Sequence, residues 1–519
     1  MSELQYSFGG VRTDAFPQIL DSILSLPARK DDVLCKQQIE NIATHLKAIN
    51  AVTTVIETNY VDHDFMDDYS AYYARCFNQY ERFCTRLHFF SSGLGEDEIR
   101  NGVVKNNKDF KEKITSSYLG FVVLRPLPLK VIGRTCLLPC KKGDLGYVKS
   151  LCTVSVSFFG YDLSVECMPF QEQDKIVAAC ATSALWSSFY VTAKLFGHST
   201  ITPSKITAVA KERGASIGRA IPNRYGLTAV EMAYAIRHIG LEVVSVNISD
   251  LVFQQKYAVL GNIYAYLNLG VPLLLMGDLI SLEGKKKGKH AMAVNGFRFL
   301  EGEHRLPTLP ANRVYACRIK EIYVNDDGIG PYAKMTVPEK VKKGINEFVF
   351  ESLWREKETC RGNALLFKPS MILVPIYARI CVSYDDVWSV VYDFDRHLMY
   401  HMSKIKIEWE IVLEIGKRFK QQIHKMDGID TAEKQNLLLS GLPKYLWIVK
   451  LYVKDQLNSV FCIDATDARQ GLSIVFAICY TDEVPRIAST FKKEGYFIGR
   501  PNAICDACCQ LLQKGVEVA

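Results

Sequence analysis

Residues 179–196, ACATSALWSSFYVTAKLF, constrain the fold more than any other stretch of this chain. They contain no Gly or Pro and read as one unbroken helix, apolar enough to be buried rather than laid on a surface. Other elements must therefore pack around it. The elements read downstream are strands at 241–246, 273–276, 290–297 and 318–324, with helices at 205–213 and 230–239. Thr202-Pro203-Ser204 puts a hydroxyl just ahead of the first of these helices. Gly226-Leu-Thr228 opens the second, which stops at Gly240. Helices gather before strands, so this part is expected to be α+β rather than alternating β-α-β.

At 519 residues the chain is too long for one ordinary domain. Changes of texture divide it into 1–165, helical and then β; 166–340, the α+β part just described; and 341–519, an α+β region of unknown role. The first hundred residues read as helical, with amphipathic stretches at 33–50 and 64–90, and β-like patterning begins at Tyr118. The last region has strand-like pieces at 372–380, 446–453, 460–464 and 471–479 around a polar helical segment at 411–439.

Composition excludes several classes. A hydrophobic fraction of 48% with 23% charged residues is not that of a disordered or collagen-like chain. The stretch nearest to a membrane span, 257–280, is interrupted by Asn262, Asn268, Gly270, Pro272 and Asp278. It leaves no run of about 18 apolar residues, so a soluble protein with no membrane partner is expected. A net charge of +7 over this length is mild, and nucleic acid is not an expected partner. Sixteen cysteines are too sparse for a disulfide framework, and no signal peptide opens the chain. The expected location is cytoplasmic, with the thiols reduced and mostly acting as small buried hydrophobes.

Three local features stand out from that background, in a fixed order. Cys180 follows Gln173 at short range and opens the long helix. The unpaired N–H groups at a helix start favour negative charge, and a glutamine amide with the cysteine N–H can donate to a developing oxyanion. His290 lies where the basic run Gly284-Lys-Lys-Lys-Gly-Lys gives way to the apolar strand 291–297. Finally, the strand Ile322-Tyr-Val ends in Asn325-Asp326-Asp327-Gly328, where a side chain could accept the second imidazole N–H.

The order Gln–Cys–His–Asn/Asp resembles that of the papain-like cysteine peptidases. It is most similar to their bacterial branch of bacteriocin-leader-processing peptidases, through Cys180, Gly270-Val-Pro272, His290…Gly296-Phe297 and Asp326…Gly328…Gly330. The resemblance covers roughly 166–340 and implies a papain-like catalytic domain there. It implies Cys180 as nucleophile, His290 as general base, Asp326 as the residue orienting it, and Gln173 with the Cys180 N–H as the oxyanion hole. The implied reaction is acyl transfer through a thioester on a peptide or protein substrate, with no metal or organic cofactor. The sequence departs from the pattern with Ala181 where the family has Gly, and with Gln173 seven residues and Gln171 nine residues before the cysteine. Asn325 and Asp327 stay open beside Asp326 as the orienting residue. A transglutaminase- or acyltransferase-like enzyme, and a non-catalytic peptide-binding module of the same fold, are the alternatives.

The remaining motifs have plainer readings. The basic run 284–290 is a solvated loop or, alternatively, a mobile lid that recruits acidic substrates. Cys505-Asp-Ala-Cys508-Cys509 lacks a second ligand pair known to meet it, so zinc is not assigned. The aromatic and basic residues of 80–90 are read as core rather than as a base-stacking surface.

Overall fold

A computed structural model of the chain describes residues 7–24, 36–128, 130–140, 146–174, 176–212, 221–223, 225–299, 313–355, 363–402, 405–426, 429, 431–467, 472–497 and 501–517. Cys35, Cys360 and the expected element ends Arg213 and Gly471 lie outside the described residues. The architecture is mixed α+β with several antiparallel sheets. Packing divides it into two compact units, Met1–Ser249 with Gly270–Arg298 and Lys320–Pro375, and Asp250–Leu269 with Phe299–Ile319 and Ile376–Ala519. Both are discontinuous, and their borders do not follow the three consecutive segments read from sequence texture. A linear scan has no means of assigning a helix such as Lys256–Leu269 to a unit whose other parts come much later in the chain.

The first unit holds two main sheets. One is five-stranded and antiparallel, in the spatial order Phe8–Arg12, Thr53–Tyr60, Cys84–Phe90, Tyr118–Leu124, Ile132–Leu137. The helix expected at 64–90 is therefore limited to His63–Ala71, and the aromatic run from Cys84 is a strand. Its side chains enter two cores, with Cys84 and Phe90 in one and Leu87 and Phe89 in the other. A strand buried on both faces loses its period-2 signature, which is why helical spacing could be read into it.

The other sheet closes on itself. Strands Leu273–Ile280, Lys286–Phe299, Ile319–Asp326, Gly330–Thr336, Phe350–Arg355 and Ala364–Tyr377 pair in that order, and the last also pairs with the first. Closure leaves no open edge within this ring of six. The helix Cys180–Phe196 packs on it: Ala184, Leu185, Trp186 and Phe189 share a core with Leu274, Ala291, Ala293 and Leu373. Thr228 and Glu231 form the reciprocal cap that starts the helix Ala229–His238.

The basic run before His290 is not a loop. Lys286 to Lys289 are strand residues paired with Leu273–Ile280, and the turn is confined to 281–285. Lys286 forms an ion pair with Asp278 at 2.7 Å. The mobile-lid reading fails because backbone pairing continues through the lysines, whose side chains point into solvent. His290 thus sits within its strand rather than at the start.

The second unit carries an antiparallel four-stranded sheet, Ile407–Ile415, Tyr445–Val453, Gln456–Asp464 and Ile474–Cys479. The helical segment expected at 411–439 begins only at Gly416, because Ile407–Ile415 is a strand buried nearly throughout. Cys505, Cys508 and Cys509 lie on the helix Ala503–Glu517. Among the described residues no helix is long and apolar enough to cross a membrane.

Candidate active site

The loop ahead of Cys180 is shaped by one carboxylate. Asp174 Oδ1 accepts the backbone N–H groups of Ile176, Val177 and Ala178 at 3.0, 2.8 and 2.8 Å, while Oδ2 accepts the Tyr73 hydroxyl at 2.7 Å. Ala179, the residue capping the helix, offers no side-chain acceptor, so this clamp fixes the approach to the helix instead. Cys180 is the first helical residue and is half-buried. Its N–H belongs to the first turn, whose N–H groups have no partner within the helix.

His290 comes from the facing strand. Cys180 Sγ, a ring nitrogen of His290 and a carboxylate oxygen of Asp327 all lie within 4.8 Å of one another. His290 is 6% exposed, and its Nε2 lies 3.0 Å from Asp326 Oδ2. An ionised carboxylate can only accept, so Nε2 carries the proton and donates it. Asp326 receives two further donors, Trp354 Nε1–H on Oδ2 at 2.8 Å and the Gly328 N–H on Oδ1 at 2.9 Å. The Trp354 ring stands edge-on to the imidazole with centroids 4.8 Å apart, covering the His290–Asp326 bond from water. Gly328 has no side chain for a geometric reason: a Cβ there would come within 2.2 Å of the Trp354 ring.

These contacts set the charges. Burial opposes the charged form of His290, but the Asp326 charge, its hydrogen bond and the neighbouring Cys180 hold the imidazole well above its usual value. Burial would raise Asp326, yet the His290 charge and the bonds from His290, Trp354 and Gly328 hold it below the ordinary carboxylate range. The geometry favours a carboxylate–imidazolium pair.

The three candidates for the orienting residue are separated by the strand. Asn325 faces away from His290: its Nδ2 donates to the Met168 and Pro169 carbonyls at 3.2 and 3.0 Å, and its Oδ1 accepts from Asn295 Nδ2 at 3.0 Å. Asp326, one residue on, meets His290 instead, at a step where the pairing with Gly330–Thr336 is irregular. Asp327 Oδ1 lies 3.8 Å from His290 Nε2, and among the described residues neither of its oxygens accepts a hydrogen bond.

Burial pushes Asp327 up; His290 pulls it down, Asp326 raises it further, and the carboxyl stands at about 7. An acid raised in the folded state costs stability as pH climbs from its ordinary value of about 3.9 to the folded value, and the cost is then constant. Asp327→Asn is therefore expected to stabilise the chain at pH 8, by on the order of 2–4 kcal/mol, and to leave it nearly unchanged near pH 4. Urea denaturation at the two pH values measures this. An equal or lower stability of the variant at pH 8 would refute it.

Gln173 is half-buried on the loop before Cys180, whereas Gln171 is buried with its Nε2 unpaired. Between them Glu172, fully buried, accepts Lys36 Nζ at 3.0 Å, Lys130 Nζ at 3.1 Å and Gln38 Nε2 at 3.3 Å. Gln38 Nε2 also donates to the Asp327 carbonyl at 3.0 Å. The helix Gln37–Ala48 thus braces the site from the far end of the chain.

Sequence reasoning missed Trp354, Glu172, Gln38 and Asp174. Trp354 fell in the segment read as a separate C-terminal region, and Gln38 and Lys36 fell in the N-terminal one. Only Asp174 had a local signal, an Asp heading a loop whose following N–H groups it can accept. The cysteines 505, 508 and 509 share a single helix, and among the described residues Cys180, His290 and Asp327 are the group placed to hold a metal ion.

No protein-family profile, curated protein or solved structure matches this chain.

Proposed function

We propose that this protein is a cysteine hydrolase of the papain-like type, acting on a peptide or protein substrate. One observation carries the reading: a helix-opening thiol is held against an imidazole whose other side is fixed by a buried, triply bonded carboxylate. A helix packed against a closed antiparallel sheet, with nucleophile and base on opposite walls, supports the fold that the sequence resemblance implies.

With Nε2–H given to Asp326, Nδ1 is the nitrogen available to exchange a proton with Cys180. The thiolate attacks the substrate carbonyl carbon and forms an S–C bond, and the carbonyl electrons move to oxygen. The Cys180 N–H and the Gln173 amide are the proposed donors to that oxyanion, with Gln171 the competing side chain because its Nε2 is unpaired. His290 protonates the leaving amine as the C–N bond breaks, leaving a thioester. It then takes a proton from water, which attacks and frees the acid and the thiol.

The test is alkylation of the purified protein by iodoacetamide, followed by peptide mapping. Cys180 is expected to react at neutral pH well ahead of the other thiols and faster than free cysteine. A rate no greater than that of free cysteine would sink the hydrolase reading and leave the binding-module alternative. Product analysis with added amine separates hydrolysis from transfer: an amide product in place of the acid marks a transferase.

A further inference from the structure

We propose that Cys180, His290 and Asp327 form a reversible binding site for a soft divalent cation of the Zn2+ class, which closes the nucleophile when loaded. Asp327 is the observation that points to a ligand. It is 3% exposed, its Oδ1 lies 3.8 Å from His290 Nε2, and among the described residues neither of its oxygens accepts a hydrogen bond. A second carboxylate beside Asp326 has no role in orienting His290, and leaving it buried without a donor is costly. A cation would supply the missing partner.

The donor set selects the metal. Thiolate with imidazole favours Zn2+, Co2+ or copper over Mg2+ and Ca2+, which prefer all-oxygen shells. Thiolate and carboxylate together neutralise a divalent charge, so the loaded site buries no net charge from these groups. Bond lengths of about 2.0–2.3 Å put tetrahedral ligand atoms roughly 3.3–3.6 Å apart. The observed separations, all within 4.8 Å, need closure of at most about 1.2–1.5 Å. A metal on Nδ1 would keep the Nε2–Asp326 bond, which then fixes the ring as outer carboxylates do around metal-bound histidines. Three protein ligands leave a fourth position for water, and coordination at Sγ and Nδ1 releases to solvent the proton that Cys180 and His290 otherwise exchange. The half-buried Cys180 is the side from which the ion arrives.

The site uses the residues of the proposed hydrolase but not its chemistry, so each can fail alone. The test titrates the full chain, stripped with chelator, first with Co2+ and then with Zn2+. A near-ultraviolet thiolate-to-cobalt band saturating at one Co2+ per chain is expected, displaced by Zn2+ and absent from Cys180→Ser and His290→Ala. Asp327→Asn, which keeps shape and volume, is expected to weaken Zn2+ at least tenfold. Zn2+ is expected to protect Cys180 from iodoacetamide in the parent and far less in that variant. No band, or unchanged affinity in Asp327→Asn, overturns the metal site. Fast alkylation without a band removes this inference and leaves the hydrolase. A band on a thiol no more reactive than free cysteine does the reverse.

Discussion

Exchange of His290 for alanine is expected to lower turnover at Cys180 by about three to four orders of magnitude. The imidazole is the nitrogen base that the structure brings to the thiol, and in the proposed reaction it is also the acid for the leaving amine. Loss of either half of that exchange stalls the same step, so the effect should appear in kcat rather than KM. The alkylation profile gives an independent readout. In the parent protein, reactivity at neutral pH should already be high; in the variant it should be low and climb with pH as that of a free thiol does. A variant alkylated as fast as the parent at neutral pH would show that His290 does not activate Cys180. His290 also stacks edge-on with Trp354 and bonds Asp326, so circular dichroism of the variant should accompany the kinetics.

The second large effect is expected at Asp326. Alanine there removes the acceptor of three donors, His290 Nε2–H, Trp354 Nε1–H and the Gly328 N–H, all in a buried site. Removing one partner of a buried charged pair costs roughly 3–5 kcal/mol, and the misoriented imidazole should cost about 10²–10⁴ in rate. Asparagine is the informative contrast, since its amide oxygen can still accept Nε2–H but carries no charge.

The pH dependence separates the two roles. The folded value of His290 is raised, so its contribution to stability is complete below the unfolded value of about 6.5 and is lost as pH rises through the folded value. The folded value of Asp326 is depressed, so its contribution is present above about 3.9 and is lost as pH falls through the folded value. The pair therefore stabilises most between those limits. Asp326→Asn should flatten the alkaline loss, because the imidazolium no longer gains a charged partner. Thermal denaturation from pH 5 to 10 measures this. An unchanged alkaline slope in Asp326→Asn would mean that the carboxylate does not raise the imidazole.

Much of the helix and strand framework was legible from local pattern. The helix at Cys180, the capped helix after Thr228 and the strands around 273, 290, 319, 445 and 456 all carry long periodic runs with Gly or hydroxyl punctuation. Local pattern failed where burial is two-sided. Cys84–Phe90 is covered on both faces, so no alternation marks it, and it falls in the segment that reads as helix. Ile407–Ile415 does alternate, with Glu408, Glu410 and Glu414 between apolar residues, but its last five residues run into the polar segment 411–439 that reads as helix. The lysines before His290 failed for the opposite reason: a solvated strand end looks like a loop in composition, although Lys286, Gly288 and Lys289 pair with the neighbouring strand.

The sequence by itself determined the identities and order of the candidate site groups. A thiol opening a buried helix, a histidine on an apolar strand and an acidic strand end are local facts, fixed by side-chain type and periodicity. Tertiary structure decided which of three adjacent polar residues meets the imidazole: Asn325 is taken up by Asn295 and the Met168 and Pro169 carbonyls, and Asp326 bonds His290 where the strand pairing becomes irregular. It also recruited Trp354 from beyond the expected boundary and Gln38 from the first helical segment, residues separated from Cys180 by more than a hundred positions. Such contacts arise from closure of the six-stranded ring and from packing of the Gln37–Ala48 helix on the unit that contains it. No local propensity encodes them, since they depend on where the chain returns in space rather than on its neighbours in sequence.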